Sequence, residues 1–284
     1  MNVKEIFKRN PILYKLGMYW NMWYYDFIYD SWLLFKVYLR KKGWLHEMKF
    51  DTIAKLKNTH EGERCFIIAT GPSLTFDDLN LLKKEITFAV NSIVKILDKM
   101  NFVPDYLGIQ DAGVYKKIGD QIESCTVPHI FMTDVLYKRH CKQKDKQRYI
   151  LYPKYNCRHS SHGDKRPLSS GFTDDPSKVI YDGYSITYSL LQIAVFMGFK
   201  EIYLLGCDCS YDIKSGKHHF VESGFYDKTA ATVGERMIYA YSVAKDYLDK
   251  YHPDVKVYNA TRGGMLNVFP RKTLDQVFSA ECEK

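Results

Sequence analysis

The chain has 284 residues, 46% hydrophobic and 26% charged, a balance that excludes a disordered protein and fits one large domain or a domain with an appendage. Its net charge is +8, from 41 basic and 33 acidic residues. Residues 1–60 hold 11 of the basic and 5 of the acidic residues, so the rest is nearly neutral, which excludes the broad basic face expected of a nucleic-acid binder.

Residues 1–48 are expected to form a separate helical segment. All four tryptophans lie there, Trp20, Trp23, Trp32 and Trp44, among many tyrosines and phenylalanines. Lys4, Lys8 and Arg9 precede the aromatic stretch, and Arg40, Lys41 and Lys42 follow it. Its longest uncharged run, Leu16–Tyr25, falls well short of the ~20 residues a spanning helix needs. Trp and Tyr favour the lipid headgroup level, and Lys and Arg favour anionic lipid. The segment therefore reads as interfacial helices on an anionic membrane surface. The alternative is a helical hairpin packed on the rest of the chain or on a second copy in a homo-oligomer. No secretory signal pattern is read at the N-terminus.

From residue 49 to 284, short apolar runs alternate with helical patterns. Strands are expected at 65–69, 86–90, 105–109, 128–132, 201–205 and 256–259, and helices at 77–84, 92–100, 185–198, 235–251 and 273–278. Such alternation predicts a Rossmann-like α/β domain, with a mainly parallel sheet and helices on both faces. Residues 137–176 are rich in Lys, Arg, His and Ser with little periodicity, and read as an insertion or lid. The seven cysteines include no CxxC pair, and Cys207-x-Cys209 has the wrong spacing for a zinc site, so no metal centre is expected and the thiols read as small core residues.

In an open parallel sheet, ligands bind beyond the carboxyl ends of the strands. The first strand runs there into Gly71-Pro72-Ser73, where a glycine lets a phosphate or ribose approach the backbone. This is neither a G-x-G-x-x-G fingerprint nor a P-loop. The second strand ends at Asn91 and the third at Asp111, both of which could instead be helix N-caps. The fifth ends in Gly206-Cys207-Asp208, followed by Tyr211 and then the pair His218-His219, either of which can serve as a base near neutral pH.

The runs CFIIATGPSL (65–74), ITFAVNS (86–92), ITYSLLQIAVFMGFKEIYLLGCD (186–208), His219-Phe220 and YNATRGGMLNVF (258–269) together resemble one superfamily over roughly residues 50–280. It contains the 6-hydroxymethylpterin diphosphokinase-like domain, the accessory-factor flagellin glycosyltransferases and, more distantly, bacterial CMP-sialic-acid sialyltransferases. The resemblance is strongest to diphosphokinase-like members found among capsule and surface-polysaccharide proteins. It implies that Gly71, Pro72 and Ser73 hold a nucleotide, that Asn91 contacts a CMP moiety, that Thr187 meets the nucleotide at the start of the long helix, and that Asp208 is the acid after the fifth strand. Tyr211 lies near a sialyltransferase tyrosine that stabilises the leaving phosphate, with spacing two residues longer. The sialyltransferase histidine has no counterpart in 227–233, which leaves His219 or His218 as base. The implied enzyme is a cytoplasmic glycosyltransferase, peripheral on the inner face of the cell membrane. It moves a sugar, such as a sialic-acid-like nonulosonic acid, from a CMP-activated donor to a surface glycan, and needs no further cofactor. The alternatives are an ATP- and Mg²⁺-dependent pterin pyrophosphokinase with Asp111 and Asp208 on the metal, and a non-catalytic nucleotide-binding partner of a polysaccharide assembly complex.

Overall fold

A computed structural model describes residues 10–142, 147–155, 168–210, 219–224 and 230–282. The chain divides into two compact units, 1–47 and 48–284. In the first, α1 (Pro11–Trp23) passes through a π-helical turn (Tyr24–Tyr29) into α2 (Asp30–Lys41). The second begins with a 3₁₀ turn (Met48–Phe50) and a short helix, α3 (Asp51–Ala54).

Its sheet strands are β1 (Arg64–Ile68), β2 (Ile86–Val90), β3 (Tyr106–Ile109), β4 (His129–Thr133), β5 (Tyr149–Tyr152), β8 (Glu201–Leu205) and β9 (Lys256–Asn259), and a separate pair is formed by β6 (Lys154–Tyr155) and β7 (Ile180–Tyr181). The helices are α4 (Phe76–Leu81), α5 (Ala112–Ser124), α6 (Asp134–His140), α7 (Ile186–Phe196), α8 (Ala230–Tyr251) and α9 (Leu274–Cys282). The seven-stranded sheet has the order β5-β4-β3-β2-β1-β8-β9, and every pairing in it is parallel.

Parallel strands covered on both faces read as near-continuous apolar runs, and β1, Arg-Cys-Phe-Ile-Ile, is one. Its alternate residues feed two cores. Cys65 and Ile67 join α7 and the Ala240, Tyr241, Ala244 and Leu248 face of α8, while Phe66 and Ile68 join Ile118 and Ile122 of α5 and Val277 of α9. Every residue of α7 is buried, as its apolarity on most faces predicts. Ser185 caps its N-terminus, accepting from Thr187 N, and Gly198, at φ 95°, follows its C-terminus.

Two elements differ from the sequence reading. Residues 91–99 form a 3₁₀ helix, not an α-helix. Ile93, Val94 and Ile96 are β-branched neighbours that crowd an α-turn, and a 3₁₀ turn aligns Ile93 with Ile96 instead. Helix α5 follows Asp111, as the N-cap reading of that residue expects. The stretch 137–176, read as an insertion or lid, supplies the end of α6 and the edge strand β5, which pairs with β4 from Ile130↔Tyr149 to Thr133↔Tyr152. That strand is four residues long and lies between a basic run and Pro153, too short for periodicity to register.

Candidate functional site

The sheet order reverses between β1 and β8: β2 to β5 build outward on one side of β1, and β8 and β9 on the other. A crevice beyond the carboxyl ends at such a point is where an open α/β sheet offers its site. The turns after these two strands meet there. Gly71 N donates to Gly206 O at 2.9 Å, and Ala69 N to Leu205 O at 2.8 Å. Gly206 has φ 67°, a left-handed conformation that suits glycine. A Cβ on Gly71 would lie 1.9 Å from Asp208 Oδ2 and 2.3 Å from Gly206 O, so only glycine fits against this carboxylate.

Asp208 is buried, and Ser73 Oγ donates to its Oδ2 at 2.7 Å. Burial raises its carboxyl above the ordinary value; hydrogen bonds from the Ser73 hydroxyl and backbone, and the nearby positive charge of Arg271, act the other way. Arg271 itself donates to Thr261 O at 2.9 Å, and Thr261 Oγ1 accepts from Cys207 N at 2.9 Å. Burial pushes the Cys209 thiol up to about 12 and Cys207 well above its ordinary value, so neither is a thiolate nucleophile near neutral pH.

One strand over, Asn91 ends β2 with φ 47°. Its Oδ1 is buried and, among the described residues, has no hydrogen-bond partner, and the 3₁₀ helix that follows β2 has no side-chain cap. The capping explanation therefore does not apply to Asn91. It does apply to Asp111, which is exposed and accepts from Val114 N at 2.8 Å at the start of α5. Thr187 is buried, with its hydroxyl 2.8 Å from that of Tyr241 and 2.6 Å from Ser185 Oγ, so its side chain is engaged within the core.

Residues 219–224 lie across the ends of β1 and β2. Phe220 N donates to Thr70 O at 2.7 Å, and the Phe220 ring packs edge-on to Phe76 at 5.2 Å. Ser92 Oγ donates to Val221 O, and Lys95 Nζ to Glu222 O at 2.7 Å. His219 is thereby set beside the Gly71 turn, its Nδ1 3.3 Å from Thr70 Oγ1 and its own N–H bonded to Glu222 Oε1 at 2.9 Å. His218 and Tyr211 lie outside the described residues. Pro72 is exposed at the tip of the turn.

Sequence reasoning did not single out Thr70, Thr261 or Arg271, although Thr70 and Thr261 fall inside runs that carry the resemblance. It also missed a polar cluster beyond β3. There Gln110 Oε1 accepts from Tyr152 and Ser189 hydroxyls at 3.2 and 2.8 Å, and buried Asp182 pairs with Lys154 Nζ at 3.0 Å. Asp182 and Lys154 belong to the short β6–β7 region, whose place near the sheet edge no local pattern announces.

Asp111 and Asp208 follow β3 and β8, which are separated by β2 and β1. Three strand spacings make roughly 14 Å, far beyond the ~2.1 Å ligand distances of a shared Mg²⁺ ion. The two carboxylates do not fit one metal. Among the described residues, no group of three His, Cys, Asp or Glu side chains is arranged to hold a metal ion.

Several solved structures resemble the chain. One is a MAf glycosyltransferase from Magnetospirillum magneticum AMB-1, at 16% identity and TM-score 0.47 over 83% of this chain and 41% of that one. Another is the sialyltransferase CstII from Campylobacter jejuni in complex with a substrate analogue, cytidine-5'-monophosphate, at 12% identity and TM-score 0.42 over 76% of this chain and 87% of that one. The chain thus spans less than half the length of the first. No curated protein matches its sequence. The model of one family, described as 6-hydroxymethylpterin diphosphokinase MptE-like, matches residues 44–214, more than half of the chain. The chain belongs to the 6-hydroxymethylpterin diphosphokinase MptE-like family.

Proposed function

We propose that the protein is a glycosyltransferase that takes a sugar from a CMP-activated donor and places it on a hydroxyl of a surface glycan. The observation that carries a nucleotide site is the buried, unpartnered Oδ1 of Asn91 beside the Gly71 turn. A buried acceptor without a donor costs roughly 1–3 kcal/mol, and an exocyclic amine of a base or a ribose hydroxyl would satisfy it. The donor class follows the motif resemblance at Gly71–Ser73 and Asn91.

In this reading His219 removes the proton from the acceptor hydroxyl. The oxygen attacks the anomeric carbon, the bond from that carbon to the phosphate oxygen breaks, and CMP leaves with the electron pair. This role requires Thr70 Oγ1, 3.3 Å away, to accept from Nδ1–H, which puts the basic lone pair on Nε2. Backbone amides at the Gly71 turn and the phenol of Tyr211 are the groups proposed to stabilise the leaving phosphate. Family membership keeps an ATP-dependent diphosphokinase as the second reading, but Asp111 and Asp208 would not share its Mg²⁺. Incubation with CMP-activated sugars and surface glycan tests the proposal. Acceptor-dependent release of CMP supports it, whereas AMP formation from ATP with a pterin alcohol, and no CMP release, overturns it.

A further inference from the structure

The helical unit preceding the α/β domain carries its apolar side chains outward. Leu16, Trp20, Trp23, Ile28, Trp32 and Phe35 retain between 47% and 67% of their surface in contact with solvent. Single exposed apolar residues are ordinary on a folded protein, but a run of six, four of them aromatic, marks an interaction surface.

Their spacing is the second observation. Leu16 to Trp20 to Trp23 are steps of four and three, and so are Ile28 to Trp32 to Phe35, so each trio lies along one face of its helix. The step between the trios is five. In an uninterrupted α-helix a residue five places on lies about 140° round the axis, which would put the second trio nearly opposite the first. The chain is π-helical from Tyr24 to Tyr29, where bonding runs from i to i+5, and this returns Ile28 to the face of Trp23. The extra residue of the π turn therefore joins two short apolar faces into one stripe about 28 Å long. Ring pairs lie along it, Trp20 with Trp23 at 5.3 Å and Trp32 with Phe35 at 6.1 Å, and Lys36 Nζ sits 5.6 Å from the Trp32 ring centroid.

We propose that this unit is a membrane-surface anchor that lies flat on anionic lipid, with the π turn holding its apolar stripe in one plane. Tryptophan and tyrosine prefer the headgroup boundary to a dry protein core, because each has an apolar body and a polar tip. Lys15, Lys36, Lys41 and Lys42 border the stripe, and Lys4, Lys8 and Arg9 precede it in the sequence, a surplus that complements lipid phosphate. Among the described residues no helix is long and apolar enough to cross a membrane, so the stripe is placed on the surface and not through it. Its apolar residues sink to the acyl boundary while the lysines stay among the headgroups.

The test uses the full chain and vesicles of phosphatidylcholine alone or mixed with phosphatidylglycerol. All four tryptophans of the protein are in this unit, so tryptophan emission reports on it alone. Anionic vesicles are expected to shift the emission to the blue and to bind at least about tenfold more tightly than neutral ones, with salt weakening the difference. Trp20→Glu with Trp32→Glu is expected to cut binding about tenfold or more. Inserting one alanine after Asp26 lengthens the step between the trios to six, turns the second trio by about 100° and leaves the charge unchanged, so the stripe predicts a loss of binding. Far-UV thermal melts show that the α/β domain is intact in each variant. Three results would overturn the proposal. One is no binding of the parent protein to anionic vesicles. Another is binding unchanged by both variants. The last is a dimer in sedimentation that Trp20→Glu dissociates while vesicles do not compete, which would assign the stripe to a second copy.

Discussion

Asn91 and Asp208 follow β2 and β8, on either side of β1, and have opposite needs. Asn91 Oδ1 is buried and lacks a donor, whereas Asp208 already accepts from Ser73. Asn91→Gly keeps a residue that tolerates φ 47° and removes only the side chain. Its stability without nucleotide should stay within about 1 kcal/mol of the parent, because no native hydrogen bond is lost, while nucleotide affinity should fall about tenfold or more. Titration calorimetry paired with urea melts checks this; unchanged affinity would remove Asn91 from the site. Asp208 behaves differently. Its folded carboxyl is held above the ordinary value by burial, so its contribution to stability is full below the ordinary carboxylate range and is lost as pH rises through the folded value. Asp208→Asn cannot ionise and still offers an oxygen to Ser73. Its melting temperature relative to the parent should therefore rise as pH increases from the ordinary carboxylate range, and a difference that falls instead would contradict the assignment. His219→Ala should lower CMP release roughly 10²–10⁴-fold at saturating donor and leave CMP affinity nearly unchanged, since the base faces the acceptor. Near-normal turnover in kinetic assays would exclude His219 as the base.

At the level of elements, the strap 219–224 connects the ends of β1 and β2 through Phe220, Ser92 and Lys95. A base must be held in place to work, so loosening the strap should act through turnover. Ser92→Ala combined with Phe220→Ala should lower kcat about tenfold with little change in the CMP dissociation constant. Parent-like kcat would show that the strap does not position His219. The strands themselves are readable in sequence because each buried parallel strand is an apolar run ended by a polar or glycine turn; the ends of β1, β2 and β8 follow directly. What is not readable depends on distant partners. Edge strand β5 is too short to carry a period, and the 3₁₀ geometry of 91–99 arises from crowding among Ile93, Val94 and Ile96. Asn91 and Asp111 look alike in sequence, each polar at a strand end, and only the geometry separates a helix cap from an unsatisfied acceptor. Thr187 sits at a helix start in both views, yet its hydroxyl is taken by Tyr241, a residue 54 positions away. The interfacial reading of the N-terminal aromatics needs only composition, whereas the continuity of their stripe depends on the π turn.

For the whole molecule, the sheet reversal between β1 and β8 brings Gly71, Ser73, Gly206 and Asp208 together, with Asn91 one strand away and His219 above. The arrangement sets a glycine turn, a buried acceptor atom and a histidine around the end of β1, and the proposed reading assigns them to the phosphate, the base or ribose, and the acceptor hydroxyl. The Mg²⁺-dependent alternative asks for two carboxylates on one ion, which β3 and β8 hold roughly three strand spacings apart. Ligands that bind the folded state raise its melting temperature by mass action, so a panel of nucleotides reads the site directly. The decisive measurement is the thermal shift of the full chain with CMP, CDP, CTP, UDP, and ATP with and without Mg²⁺, at equal concentrations. The largest shifts are expected from the cytidine nucleotides, independent of Mg²⁺, and they should shrink in Asn91→Gly. A larger, Mg²⁺-dependent shift with ATP and none with CMP would contradict the glycosyltransferase reading.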